Sequence, residues 1–235
     1  MINLINSSNN ESINRALIIV DMQNDFANSY GSMYISGAEK LSNKIKSLLS
    51  DYETIVYTQD YHPSDHCSFY DNINTTILSE KTLSLYPNQT LIQIRNTIPL
   101  FGKVILKNGE IQTLWPKHCV QNTWGVKLIN SLNPTEKDFI VHKGSNKNVD
   151  SYSAFFDNAR INETPLHNYL QSKNIKKVDI VGLAFDYCVG YTALDAKDLG
   201  YETRIITSAT KSVCLNSKNF MEQKLTACGV ELINK

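Results

Sequence analysis

The sequence predicts an α/β protein with a doubly wound, mainly parallel six-stranded sheet and helices on both faces. Short apolar runs such as Arg15–Val20 stop abruptly at a polar residue, which is typical of strands buried on both faces. These runs alternate with segments of helical periodicity, and strand, helix and strand of such lengths pair in parallel through a right-handed crossover. A chain of 235 residues is long enough to bury the core of one such domain.

The first strand–helix–strand unit begins with Arg15–Val20 (R-A-L-I-I-V). After Gly37, apolar residues recur at helical spacing, which predicts an amphipathic helix that ends near Ser50. Thr54–Thr58 is the second predicted strand, and it runs into Asp60. Strand, helix and strand therefore follow one another directly at the start of the domain.

Residues from about 67 to 114 interrupt this alternation, because they are polar and mixed in pattern. Two short strand-like runs, Val104–Lys107 and Glu110–Thr113, flank Asn108-Gly109. Asn-Gly between such runs is the strongest short signal for a β-hairpin. We therefore predict that residues 67–114 are an insertion that carries a hairpin.

Alternation resumes after the insertion and continues to the end of the chain. The predicted elements, in order, are a short helix near Trp124–Leu132, the strand Asp138–His142, a helix from Pro165 to about Lys173, the strand Lys177–Leu183, the helix Cys188–Leu199, the strand Glu202–Thr207, the helix Ser217–Cys228 and the strand Val230–Ile233. Gly200 and Gly229 are expected to end the last two helices as left-handed caps.

Composition narrows the possible partners and the compartment. Lys and Arg together number 23, as do Asp and Glu, and no basic run appears, so we expect no nucleic acid or membrane partner. Residues 1–14 are polar and rich in Asn and Ser, which predicts a flexible lead-in to a single domain over residues 15–235. This lead-in lacks the basic and apolar regions of a signal peptide, which predicts a cytoplasmic protein, with the nucleus as an alternative.

Cysteine usage points to one residue in particular. The five cysteines are odd in number and lack paired spacing, which favours reduced thiols over a disulfide framework. Cys188 follows the apolar strand Lys177–Leu183 and opens a helical pattern, so the helix N-terminus should favour its reactive thiolate form. From the local sequence alone, the favoured interpretation is the alternative, that Cys188 is a small buried apolar residue.

Several chemically active residues coincide with predicted strand ends. Asp21, Asp60, Lys143 and Cys188 each come at or just after the end of a different strand. In open α/β sheets, ligands bind at the carboxyl ends of the strands. A nucleophilic cysteine needs a proton acceptor and a group that stabilises anions, and Asp21 and Lys143 supply both. A surface or capping role is the alternative for each residue alone, and a distant histidine could also serve as the base.

The segment Asp60–His66 (D-Y-H-P-S-D-H) has the donors of a metal site. Residues two apart in an extended segment point the same way, so Asp60 and His62 can bind one ion. His118 and His66 are further candidate ligands. Such a set suits Zn²⁺, and also Mn²⁺ or Fe²⁺. The alternative is an ordinary polar loop.

The chain resembles the nicotinamidases of the isochorismatase-like cysteine hydrolase superfamily. The matching blocks occur in the family's order: A-L-I-I-V-D-M-Q-N-D-F (Ala16–Phe26), G-S-M-Y-I-S-G-A-E (Gly31–Glu39), T-Q-D-Y-H-P-S-D-H (Thr58–His66), L-W-P-K-H-C-V (Leu114–Val120), V-H-K-G (Val141–Gly144), Y-S-A-F (Tyr152–Phe155) and V-G-L-A-F-D-Y-C-V (Val181–Val189). The D-x-H-P and W-P-x-H-C-V motifs are those that point to nicotinamidases within the superfamily.

This resemblance implies roles for the residues in the matched motifs. Cys188 would be the nucleophile, Asp21 the proton carrier and Lys143 the third member of the triad. A cis peptide bond before Ala184 would turn the backbone N–H groups of Ala184 and Cys188 into an oxyanion hole.

The resemblance also implies a metal ion held by Asp60, His62 and His118. His66 matches a position that is a ligand in some relatives and is replaced by water in others. We expect one divalent ion, with zinc ahead of manganese or iron.

Three aromatic residues, Phe26, Trp115 and Tyr187, would form the walls of a pocket for a flat ring; the alternative for each is plain core packing. The 48 residues between His66 and Trp115 exceed the short bacterial spacing and are closer to the longer eukaryotic type. The pocket lid and the subunit contacts therefore do not transfer from the short bacterial relatives.

The implied activity is hydrolysis of nicotinamide to nicotinate and ammonia through a thioester on Cys188, by a homo-oligomeric enzyme. Two alternatives remain open. One is a related amidase that acts on another small amide or carbamoyl compound and needs no metal. The other is a non-catalytic, metal-binding member of the same fold.

Overall fold

The structure is a computed structural model that describes residues 14–73 and 77–235. Within these residues, six strands form one sheet in the order β5-β2-β1-β6-β7-β8, and every neighbouring pair is parallel. The predicted fold class is confirmed. The strands are β1 (Arg15–Val20), β2 (Thr54–Asp60), β5 (Phe139–Lys143), β6 (Lys177–Leu183), β7 (Glu202–Lys211) and β8 (Glu231–Ile233), while β3 (Lys103–Ile105) and β4 (Ile111–Thr113) form a separate antiparallel pair.

Helices cover both faces of the sheet. They are α1 (Asn24–Ala27), α2 (Leu41–Leu49), α3 (Glu80–Ser84), α4 (Leu91–Thr97), α5 (Leu166–Ser172), α6 (Gly190–Asp198) and α7 (Leu215–Ala227). Short 3₁₀ turns cover Ala38–Lys40 and Tyr70–Asn72, and a π-helical turn, Phe185–Val189, leads into α6. In the described part of the chain, no helix is long and apolar enough to cross a membrane.

Strand β1 shows why these sequences form a two-sided sheet. All six of its residues are buried, and alternate side chains enter different cores: Ala16 and Ile18 pack on one face, Leu17 and Ile19 on the other. A strand with five consecutive apolar residues, as in Ala16–Val20, is stable only when both faces are covered. The continuous apolar run therefore predicts a central strand, and β1 lies between β2 and β6.

The insertion contains the predicted hairpin, in which β3 and β4 pair around the turn at Asn108-Gly109. It also contains the short helices α3 and α4, which the sequence analysis did not predict. Each begins at a hydroxyl cap, and Thr90 with Gln93 forms a complete capping box at the start of α4. The T-x-x-Q spacing was the available signal for α4.

The predicted helix near Trp124–Leu132 is wrong. This segment instead forms turns whose backbone binds the segment after β1: Asn24 donates to Lys127 O at 2.8 Å, and Ile129 donates to Met22 O at 2.9 Å. A helix would satisfy its own N–H and C=O groups, so these contacts and a helix exclude each other. The predicted lead-in, residues 1–14, lies outside the described residues apart from residue 14.

The order of the strands identifies where a ligand should bind. The chain proceeds from β1 to β2 and β5 on one side of the sheet, and from β6 to β7 and β8 on the other. The direction of winding therefore reverses between β1 and β6. In open α/β sheets, the crevice at the carboxyl ends of such strands is the usual ligand site.

The opposite end of the sheet has a buried network centred on Asp179. The Asp179 carboxylate accepts hydrogen bonds from Arg15 at 2.7 Å, from Arg204 at 2.7 and 2.6 Å, and from the Tyr52 hydroxyl at 2.5 Å. Burial opposes ionisation, but the hydrogen bonds from Arg204 and Tyr52 hold the pKa of Asp179 below its usual range. The charged network thus stabilises the end of the sheet that lies away from the proposed ligand crevice.

We expect Asp179→Asn to lower the free energy of unfolding by about 3 kcal/mol at neutral pH, because buried Arg15 and partly buried Arg204 both lose the Asp179 charge. Urea denaturation measures the difference. The exposed pair of Asp65 with Lys147 offers a control, and Asp65→Asn should leave the midpoint unchanged. A depressed carboxyl pKa stabilises the fold above the unfolded pKa, so the wild-type advantage should disappear as the pH falls through the folded pKa. Equal midpoints for wild type and Asp179→Asn at neutral pH would contradict this prediction.

Candidate active site

Four neighbouring strands bring the candidate catalytic residues together. Asp21 follows β1, Asp60 and Lys143 are the last residues of β2 and β5, and Cys188 follows β6. All four lie at the carboxyl edge of the sheet, next to the reversal of winding. Each is buried, and Lys143 is only 2% exposed. Side chains 167 residues apart in the sequence thus form one cluster because parallel strands end at the same edge.

Lys143 is the centre of this cluster. Its Nζ lies 2.9 Å from Asp21 Oδ2 and 3.3 Å from Cys188 Sγ, and it also donates to Asp60 Oδ1 and to the backbone oxygen of Ser151. Asp21, Asp60 and Cys188 offer donor atoms that lie within 4.8 Å of one another. One buried ammonium group therefore holds two carboxylates and the sulfur in place.

Asp21 is arranged to accept a proton. Its Oδ1 accepts a hydrogen bond from the Thr58 hydroxyl at 2.6 Å. Its Oδ2 is ion-paired with Lys143 but is not in good hydrogen-bonding geometry with any donor among the described residues. Burial raises the pKa of Asp21, and the Lys143 charge opposes this shift only in part. A carboxylate with a raised pKa takes a proton more readily than an exposed one does.

Burial also raises the pKa of the Cys188 thiol, against the opposing charge of Lys143. This burial opposes the preference for the thiolate that was expected from a helix N-terminus. Cys188 is the fourth residue of the π-helical turn Phe185–Val189 and not the first residue of a helix. With two carboxylates nearby, the sulfur keeps its proton until an acceptor takes it.

The backbone around the nucleophile has unusual conformations. The peptide bond between Leu183 and Ala184 is cis, as the resemblance implies. Gly182 has a φ of 104°, and a Cβ at this position would lie 2.1 Å from Val20 O. Only glycine fits here, because Gly182 lies beside its partner Val20 at the end of the parallel β1–β6 pair and has a positive φ.

Asp60, His62 and His118 form a second, adjoining group. Asp60 Oδ2 lies 3.6 Å from His62 Nε2 and 3.8 Å from His118 Nε2. The three residues are buried, and their donor atoms lie within 4.8 Å of one another. One carboxylate and two imidazoles at such distances are a suitable donor set for a divalent ion.

The hydrogen bonds of the two histidines also fit a metal site. His62 Nδ1 lies 2.8 Å from Gly144 O, and His118 Nδ1 lies 2.7 Å from Pro116 O. A carbonyl oxygen only accepts, so each Nδ1 carries a proton and each Nε2 faces Asp60, where an ion would bind. Burial lowers the pKa of His118, which favours the neutral form that binds metals. Burial also lowers the pKa of His62, but the charge of Asp60 opposes burial, and the net pKa of His62 is raised. The site therefore attracts positive charge.

His66 lies beside this group but is not one of its three members. Its ring stacks on His62 with 4.2 Å between centroids, and its donor atom groups with those of His62 and Asp150 instead. Its Nδ1 lies 2.7 Å from Ser68 Oγ and its Nε2 lies 3.3 Å from Val149 O. Both ring nitrogens therefore have protein partners, and His66 as a ligand stays a prediction.

A pocket opens above both groups. Phe26, Trp115 and Tyr187 line it together with Ala184 and Cys188, and the rings of Trp115 and Tyr187 meet edge to face at 4.9 Å. Asp60 and His118 also line the pocket, so a bound molecule can contact the metal donors and the sulfur at once. The structure thus brings the predicted wall, oxyanion, nucleophile and metal residues to one cavity.

Sequence reasoning assigned no role to several residues that shape this pocket. The Tyr152 hydroxyl accepts a hydrogen bond from Trp115 Nε1 at 3.2 Å, and Thr58 holds Asp21. Both lie in matched blocks, Tyr152 in Y-S-A-F and Thr58 at the start of T-Q-D-Y-H-P-S-D-H. The further lining residues are Met33, Ile35, Asp150, Leu183 and Val213.

Comparison with known proteins agrees with this geometry. Residues 15–235 match the Isochorismatase domain. The chain belongs to the isochorismatase family. Among members of the family, it is 36% identical to the nicotinamidase of Acinetobacter baylyi, with 94% of this chain and 92% of that protein covered. It is 34% identical to the nicotinamidase of Saccharomyces cerevisiae, with 94% and 100% covered.

Solved structures of the isochorismatase family show the same likeness. The nicotinamidase of Acinetobacter baumanii superposes with a TM-score of 0.79 at 34% identity, covering 94% of this chain and 96% of that one. The yeast nicotinamidase bound to the inhibitor nicotinaldehyde has a TM-score of 0.78 at 31% identity, covering 94% and 100%. The predicted resemblance to nicotinamidases is confirmed, and with it the prediction of a hydrolase.

Proposed function

We propose that this chain hydrolyses nicotinamide to nicotinate and ammonia. The observation that carries the proposal is one pocket in which the sulfur of Cys188 lies beside the metal donors Asp60 and His118. A planar amide between aromatic walls can present its carbonyl carbon to the sulfur and its ring nitrogen to the metal group. The relatives named as nicotinamidases support the choice of substrate.

The first step transfers the thiol proton of Cys188 to Asp21, and Lys143 stabilises the thiolate that results. The sulfur then forms a bond to the carboxamide carbon, and the carbonyl electron pair moves to the oxygen. Backbone N–H groups of Ala184 and Cys188 receive this oxyanion. Removing one such donor in a comparable hydrolase costs roughly 3–4 kcal/mol of transition-state stabilisation.

The second step releases ammonia. The carbon–nitrogen bond breaks as Asp21 returns its proton to the leaving nitrogen, which leaves a thioester on Cys188. Asp21, now a carboxylate again, accepts a proton from a water molecule that attacks the thioester. The thiolate departs, nicotinate forms, and the proton held by Asp21 restores the thiol. One carboxylate with a raised pKa therefore serves both half-reactions.

A divalent ion held by Asp60, His62 and His118 would act as a Lewis acid that binds the pyridine nitrogen and so orients the ring. We favour zinc, with manganese and iron as alternatives; a related pyrazinamidase from Pyrococcus horikoshii, 25% identical with a TM-score of 0.69, is described in complex with zinc. Because Cys188 already supplies the nucleophile, the chain needs no metal-bound water for the attack.

Chelation provides the test of this proposal. We expect the purified protein to contain about one divalent ion per chain, to release ammonia from nicotinamide, and to lose activity by about 100-fold after chelation. Zinc added back to the same sample should restore activity. Metal analysis and ammonia release on one preparation measure both. A preparation that contains no metal and releases no ammonia from nicotinamide would favour the related amidase, and a metal-containing preparation that releases no ammonia would favour the non-catalytic alternative.

The related-amidase alternative has one observation in its favour. The ureidoacrylate amidohydrolase of Cronobacter sakazakii is 25% identical to this chain, with 83% of this chain and 73% of that protein covered. Such an enzyme would use Asp21, Lys143 and Cys188 without needing the metal donors. The buried pair of His62 and His118, each held by a backbone carbonyl at Nδ1, has no purpose in that reaction, and we therefore rank the related amidase second.

A further inference from the structure

The short segment that follows Asp21, residues 22–25, contacts both parts of the chain that carry the proposed metal ligands. Gln23 binds Asp60 at the end of β2, and Asp25 binds the backbone next to His118. The mechanism above assigns no role to either side chain. Both are buried and polar, so their contacts require an explanation other than apolar packing.

The side-chain amide of Gln23 binds both the N–H and the C=O group of Asp60. Its Nε2 donates to Asp60 O at 2.8 Å and to Val126 O at 2.8 Å, and its Oε1 accepts from Asp60 N at 2.9 Å. The ladder between β1 and β2 has ended by this point, since its last pair is Ile19 with Tyr57. The side-chain amide therefore takes the place of β1 as the partner of the Asp60 backbone, while the other edge of β2 still pairs with β5.

Asp25 holds the backbone beside His118. Its Oδ2 accepts from Cys119 N at 2.7 Å, and its Oδ1 accepts from Ser32 N at 3.2 Å. Cys119 has a φ of 45°, which costs an L-residue roughly 1–2 kcal/mol, and the carboxylate stabilises that conformation. Cys119 O in turn accepts from His62 N at 3.1 Å. One carboxylate thus acts on the positions of His118 and His62 together.

The space around Asp25 is matched to its carboxylate. A Cβ at Gly125 would lie 2.0 Å from Asp25 Oδ2, and a Cβ at Gly31 would lie 2.4 Å from Asp25 O. Gly125 has no positive φ, so nothing in its own backbone conformation requires glycine there. The room is needed for the Asp25 side chain, and filling it would push the carboxylate away from Cys119.

We propose that Gln23 and Asp25 are positioning residues that set the spacing of Asp60, His62 and His118 for a divalent ion. The inference rests on the proposed metal site. A role in folding alone would not require both side chains to hold the two segments that carry the proposed ligands. Backbone hydrogen bonds at the two ligand segments instead fix the ligands before the ion arrives, as outer-shell partners do at other metal sites.

Zinc affinity of the metal-free protein tests the proposal without any measurement of turnover. We expect Asp25→Asn to weaken zinc binding by about 10- to 100-fold in competition with a chromophoric chelator. The visible spectrum of the cobalt-substituted protein should also change, because it reports the geometry of the ligands. Gly125→Ala should reproduce both effects, since it displaces the same carboxylate.

Asp157→Asn is the matched control. Asp157 is equally buried and accepts from the backbone N–H groups of Ile161 and Asn162, but it contacts no proposed ligand. It should reduce thermal stability and leave zinc affinity and the cobalt spectrum unchanged. If Asp25→Asn does not fold, Gln23→Met decides, because it keeps the side-chain volume and removes only the hydrogen bonds to Asp60 and Val126.

Wild-type zinc affinity and an unchanged cobalt spectrum in the folded variants would overturn the positioning role and leave the proposed function intact. A wild-type protein that binds no divalent ion would remove the metal site itself, and the inference with it. The two failures are therefore distinguished by the wild-type measurement.

Discussion

Cys188→Ala is expected to lower kcat for nicotinamide hydrolysis by about 10⁵-fold, because no other group can form the thioester. The substitution removes one sulfur atom from a buried position, so the aromatic pocket should remain. Ammonia release measures the loss. Nicotinaldehyde, the inhibitor bound to the yeast relative, is not suitable for comparing binding to wild type and variant, because an aldehyde can react with the Cys188 sulfur. Nicotinate binding followed by calorimetry is therefore the better check that the pocket is intact.

The exposed Cys228 provides the control for this substitution. Cys228→Ser alters a thiol at the end of α7, outside the pocket, and should retain wild-type turnover. Turnover within tenfold of wild type in Cys188→Ala would contradict the thioester route and every role assigned to Asp21.

Asp21→Asn is expected to lower kcat by about 10³-fold, the usual size of a lost general base. The amide keeps the shape of the carboxylate and can still accept from Thr58, but it cannot take the Cys188 proton. The effect should fall on kcat more than on KM, since Asp21 does not line the pocket. Steady-state kinetics at several pH values measure the effects on kcat and KM separately.

Asp51→Asn is the control for this second prediction. Asp51 is an exposed carboxylate paired with Lys235, away from the strand ends that form the cluster, and its substitution should not change kcat. A loss in Asp21→Asn that appeared only in KM would assign Asp21 to substrate binding and would contradict its role as proton carrier.

The sheet and the main cluster could be predicted from the sequence because both depend on strongly patterned segments. Arg15–Val20 and Lys177–Leu183 are apolar enough that their bounds match the observed strands. The polar residues that end such strands must then meet at one edge of a parallel sheet. This reasoning brings Asp21, Lys143 and Cys188 together without any contact being known, and the resemblance to nicotinamidases assigned their roles.

The contacts that are not periodic could not be predicted. The segment 124–132 has helical spacing, yet its backbone binds the residues after β1 across about 100 positions of sequence. The same reason applies to the roles of Thr58, Gln23 and Tyr152. Each of these side chains acts through hydrogen bonds to residues that are distant in the sequence. The thiol of Cys188 was predicted to ionise from its place near a helix, but burial outweighs that effect. The homo-oligomer, the cytoplasmic location and the single domain over residues 15–235 stay predictions.

Asp60 gives one oxygen to Lys143 and turns the other toward His62 and His118. The nucleophile and the metal group are consequently not separable modules. Removal of Asp60 to obtain a metal-free amidase would also leave the Lys143 ammonium with one counter-charge fewer. The pKa of the Cys188 thiol would then fall, because the Asp60 charge raises it. Variants that accept a new substrate should therefore first be sought among the residues of the pocket walls. A change at Asp60 would alter metal binding and the reactivity of Cys188 in the same mutation.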